Sequence, residues 1–128
     1  MCYTRGFAMG PARVLGLLGL VLAIAACGED KPSGPPTGES LFATQSCVTC
    51  HRKDGGGNNF GPSLRGTSEY WTREKMAAYF ADPQSVVAKD TRLMALSRNY
   101  NMQMPPVRLS EEQRLMLADY VLGLSAKK

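Results

Sequence analysis

The chain has 128 residues, 44% of them hydrophobic and 20% charged, and a formal net charge of +4. That length holds one domain and not comfortably two. So small a charge, with no basic run interleaved with aromatics, gives no basis for nucleic-acid binding.

The first 26 residues read as an export signal. Arg5 and Arg13 lie in a short basic start, and Val14 to Ala26 is almost wholly apolar. A run of about 13 residues suits a signal-peptide core and falls short of the roughly 20 needed to span a bilayer. Its last residues, Ile24-Ala25-Ala26-Cys27, resemble the lipobox of bacterial lipoproteins. That resemblance implies cleavage before Cys27, acylation of its thiol and a hold on the periplasmic face of a membrane, inner or outer, without a span. Ordinary cleavage after Ala25 is the competing reading. Either way the mature domain is exported. Loss of Arg5 and Arg13 lowers the basic count from 15 to 13 against 11 acidic residues, a net charge of +2.

Residues 27–38 follow as a tether. Gly28 to Gly38 holds three prolines and three glycines in 11 residues and has no apolar periodicity. Semi-extended, it reaches about 30 Å. Residues 39–128 form the domain. A first helix is expected over Glu39–Ser46, with Leu41 and Phe42 as its apolar contribution. Asp54 to Gly61, DGGGNNFG, cannot be regular structure. A second helix is expected from Thr72 to Pro83, where Met76, Ala77, Tyr79 and Phe80 share a face. A third is expected over Ser85–Arg98, and Asn99–Pro106 is a loop closed by two prolines. Ser110 and Gln113 form a capping box for the last helix, whose Leu117, Tyr120, Val121 and Leu124 recur at helical spacing. Glu111 and Glu112 suit its positive end. No segment alternates as a strand does, so the domain is expected to be all-α with long loops. Its core is thin, and a bound apolar cofactor would fill it.

The chemistry lies in Cys47-Val48-Thr49-Cys50-His51, a C-x-x-C-H sequence that is the attachment signature of c-type haem. Two thiols at this spacing add to the two haem vinyl groups, and the adjoining imidazole becomes an iron ligand. A thioredoxin-like redox pair would need a βαβ setting. A structural zinc site would need further Cys or His ligands, and His51 is the only histidine of the chain.

With Gly61-Pro62-Ser63-Leu64-Arg65-Gly66, the Met104-Pro105 pair and the amphipathic last helix, the domain resembles a small monohaem class I c-type cytochrome. The resemblance covers nearly all of the mature chain and implies a cytochrome c fold around one covalent haem c. By the same analogy His51 and Met104 are the axial ligands, and the Pro62 carbonyl accepts a hydrogen bond from His51 Nδ1–H. Met102 competes with Met104 as the sixth ligand. Leu64, Met94 and Tyr79 are candidates to line the pocket. Arg65 and Trp71 are candidates for a propionate contact, with an exposed charge and a core aromatic as the alternatives. Phe42 and Tyr120 are expected to meet where the first and last helices cross. The implied function is one-electron transfer between redox partner proteins, not enzymatic catalysis. The alternatives are a haem subunit of an oxidoreductase complex and a five-coordinate haem sensor.

Overall fold

A computed structural model describes residues 34–126. The signal segment, Cys27 and the tether up to residue 33 lie outside the described residues. Among the described residues there are six α-helices, one 3-10 turn and no strand.

Helix α1 (Gly38–Thr44) begins with a capping box. Thr37 accepts from the Ser40 N–H, and Ser40 accepts from the Thr37 N–H. Thr37 and Gly38, read from sequence as the end of the tether, are thus the cap and first residue of this helix. The expected helix to Ser46 ends two residues early because Ser46 takes a left-handed conformation (φ 60°). The chain then turns into α2 (Cys47–His51), a five-residue helix that is the C-x-x-C-H segment itself. Arg52, directly after it, is also left-handed (φ 59°). Such residues each cost roughly 1–3 kcal/mol and persist where the surroundings over-determine them. The sequence carries no cue for either break.

Beyond the glycine-rich loop, a 3-10 turn at Thr67–Glu69 leads to α3 (Arg73–Ala81). Thr72 caps α3 through the Lys75 N–H, and Asp82 ends it before Pro83, as the sequence implies. The expected third helix is instead two. Pro83 opens α4 (Pro83–Val87), capped by Asp82. Asp90 then caps α5 (Thr91–Ser97) by accepting from the N–H groups of Arg92 and Leu93. A carboxylate at a helix start competes with continuing the previous helix, and here it wins. The Leu93 N–H contributes most to holding the Asp90 carboxyl below its ordinary pKa.

Helix α6 (Glu111–Ser125) starts at the Ser110/Gln113 capping box and packs against both α1 and α3. Leu117 and Ala118 on it are fully buried, and they join Leu41, Phe42, Met76, Phe80, Val121 and Leu124 in one core. Phe42 and Tyr120 meet across α1 and α6 with ring centroids 5.5 Å apart. The close approach of α1 is set by Gly38. A Cβ there would stand 2.5 Å from the Met116 carbonyl oxygen and 2.6 Å from the Tyr120 Cβ. Gly38→Ala is therefore expected to lower unfolding stability by about 1–3 kcal/mol, the usual cost of overpacking. Guanidinium denaturation of the haem-loaded protein would register this as a lower midpoint with an unchanged slope.

Candidate haem site

Helices α2, α3 and α5 and the loops on either side of them surround an apolar cavity of about 380 Å³. That lies within the usual range for small-molecule and cofactor sites. Cys47, Cys50 and His51 all line it. One turn of α2 carries the two thiols three residues apart, which places them on neighbouring positions of one helix face. Both are free and half-buried. Burial pushes the Cys47 thiol up to about 11; a backbone hydrogen bond opposes the shift and Cys50 adds to it. Cys47 is therefore a thiol, not a thiolate, at neutral pH.

His51 is held from across the cavity wall. Its Nδ1 lies 2.8 Å from the Pro62 carbonyl oxygen. A carbonyl only accepts, so Nδ1 carries the proton and Nε2 keeps its lone pair. Burial lowers the pKa of the ring, against the pull of the Pro62 carbonyl, and favours the neutral imidazole. Pro62 is itself positioned by the glycine-rich loop. Gly55 and Gly57 have φ of 71° and 72°, and a Cβ on Gly61 would stand 2.8 Å from the Cys50 Cβ. The backbone of this loop thus lies directly against α2, where a side chain would hold it off.

The far wall includes the loop after α5. Met104 is half-buried, packs against the core and lines the cavity; Met102 lines it too but is 58% exposed. Met76 also lines it, fixed in α3 as part of the core. Trp71, a candidate for a propionate contact, lines the cavity. Leu64 and Tyr79 line it as expected of them, whereas Met94 does not. It lies on another face of α5 from Leu93 and Leu96, which do. Arg65 is also outside the lining. Its guanidinium pairs with Asp54 at 3.2 Å, and the side chain is exposed.

A helical domain closed around an apolar cavity, with two thiols and an oriented imidazole in its wall, defines a protein built to bind haem covalently. Residues 36–125 match the family model for cytochrome c, and the chain belongs to that family, as a class I c-type cytochrome carrying covalent haem c. No curated protein and no solved structure matches the chain.

The cavity fits that group in one further respect, which the sequence reading missed. Among the described residues, Arg92 is the only Lys, Arg, Asp or Glu in the lining. Its Nη2 is buried without a hydrogen-bond partner, and the Asp90 carboxylate is 4.0 Å away, beyond hydrogen-bond reach. The guanidinium stacks over Tyr70, 4.6 Å from the ring centroid, and stands 6.0 Å from that of Trp71. A buried, unpaired donor costs free energy until an acceptor meets it. A haem propionate is such an acceptor, so Arg92 rather than Arg65 is suited to hold it. Arginine in an expected helix at residues 85–98 gives no sign of this role, because which face meets the cavity depends on the break at Asp90. Cationic Arg92 disfavours the oxidised, more positive iron. Arg92→Gln is therefore expected to lower the midpoint potential by on the order of tens of millivolts, measured by redox titration followed optically.

Proposed function

We propose that this protein is a one-electron carrier of the bacterial cell envelope whose haem iron takes His51 and Met104 as axial ligands. Haem-based electron transfer is the general activity of its family. The observation that carries the finer reading is that a ring-fixed His51 and a half-buried Met104 line one apolar cavity. When bound, the haem supplies a one-electron couple at its iron. Cys47 and Cys50 would tether it through thioether bonds. His51 would give the Nε2 lone pair, while the Pro62 carbonyl holds the ring and strengthens it as a donor. Met104 would give a soft thioether, which favours the reduced iron and raises the potential. Met104 rather than Met102 is favoured because it already packs against the core. Outer-sphere electron transfer makes and breaks no bond, so no acid, base or nucleophile is required.

The envelope location rests on the sequence of residues 1–27. A lipid on Cys27 would hold the domain near membrane-bound redox partners and raise its effective concentration there.

Protein matured with covalent haem tests the ligand assignment. The oxidised form is expected to show an iron–methionine charge-transfer band that survives in Met102→Ala and disappears in Met104→Ala. Carbon monoxide is expected to bind the reduced Met104→Ala variant readily and the wild type poorly. Rapid binding to the wild type would instead favour the five-coordinate sensor.

A further inference from the structure

Met104 is placed from its C-terminal side. Before it, Asn101, Met102 and Gln103 are all exposed, and among the described residues their backbone makes no hydrogen bond. After it, only Pro105 and Pro106 separate Met104 from Val107, and a proline ring fixes φ. The Val107 N–H donates to the Phe80 carbonyl at 2.7 Å. Val107 and Leu109 both pack against the core. The next anchor is a side chain. Arg114 Nη1 donates to the Leu109 carbonyl at 2.6 Å. Leu109 directly precedes Ser110, the N-cap of α6. The Ser110 carbonyl takes the first bond of the helix, from the Arg114 N–H at 2.9 Å. Among the described residues no backbone N–H reaches the Leu109 carbonyl, and the Arg114 side chain folds back past the helix start to supply the donor.

Arg114 had other partners to choose from. It shares a groove between α3 and α6 with Glu74 and Glu111, yet it makes no ion pair among the described residues. Its Nε is buried without a partner, a cost that an aliphatic chain in the same place would not carry. What the guanidinium does instead is tie the loop to α6, one turn before the fully buried Leu117 and Ala118. We propose that Arg114 is a positioning residue for the sixth ligand: it holds the Leu109 carbonyl on α6, and the Pro105-Pro106 arm carries that constraint to Met104. The inference rests on the reading of Met104 as an axial ligand and adds the residue that keeps it in place. A hydrogen bond from a cation is among the stronger bonds available to a loop. Its loss raises the fraction of molecules in which the loop has lifted.

Imidazole reads that fraction, because it takes the sixth position only where Met104 has left it. Oxidised holoprotein is titrated with imidazole and followed at the iron–methionine band. Arg114→Leu is expected to bind imidazole about tenfold more tightly than the wild type. Arg114→Gln, polar but too short to reach Leu109, is expected to do the same, and it carries the test where Arg114→Leu fails to fold. Arg114→Lys keeps a long cationic donor and is expected to stay within about threefold of the wild type. Far-UV dichroism and an unchanged covalent-haem spectrum show each variant folded. An arginine that merely supports α6 would lower the midpoint of helical unfolding and leave the imidazole affinity alone. Wild-type affinity in Arg114→Leu and Arg114→Gln would therefore overturn the proposal and leave Met104 standing as a ligand. A wild type without the iron–methionine band would overturn the ligand reading, and the proposal with it.

Discussion

Some 90 residues in short helices cannot bury enough apolar surface to hold themselves together well. The constraint shows in where the side chains go. The core cluster gathers along α6 and the faces of α1 and α3 that meet it, while Leu93 and Leu96 of α5 and residues of the two long loops line a cavity. The protein's own residues leave that cavity unfilled. A flat, largely apolar group bonded through Cys47 and Cys50 supplies the missing core, and the same group supplies the chemistry. Stability and function are therefore one requirement here, met at one place.

Two kinds of contact make the cavity specific. Backbone approach fixes one wall, where Gly57 and Gly61 let the loop lie against α2 and bring the Pro62 carbonyl to His51. Aromatic stacking fixes another, where Trp71, Tyr79, Tyr70 and Arg92 form a layered cluster with Lys75 over Trp71. The first sets the tautomer of the His51 ring. The second holds a cation at the edge of an apolar space, where water would otherwise be its only partner.

The parts of this arrangement that were legible in sequence are those with local causes. The Ser110 capping box and the stop at Pro83 follow from spacing and side-chain chemistry within a few residues, while the meeting of Phe42 with Tyr120 was implied only by the family resemblance. Cys47, Cys50 and His51 are legible because their chemistry demands that spacing. The breaks at Ser46 and Asp90 were not, since Ser46 turns left-handed and the Asp90 carboxylate caps α5 inside a passable helical pattern. The Asp90 break had a cost for the site. Read as one helix, residues 85–98 present Met94 as plausibly as Leu93, and Arg92 stays an ordinary surface charge. Arg65, a candidate for a propionate contact with an exposed charge as the alternative, is the exposed charge, paired with Asp54.

The loop that carries Met104 differs from the wall that carries His51. Among the described residues, the backbone of 101–106 makes no hydrogen bond, although the loop is pinned before it by Tyr100 to Ser97 and after it by Val107 to Phe80. Pro105 and Pro106 have no N–H to offer. The His51 side is held by the backbone hydrogen bonds of Gly57 to His51 and Leu64 to Gly55 and by the Pro62 carbonyl at His51. With few backbone bonds to break, the methionine side is expected to open at lower cost than the rest of the domain. Heat or denaturant would thus release the loop that carries Met104 before the helices part, and the protein would pass through a folded form with one side of its cavity open to any small ligand in its surroundings.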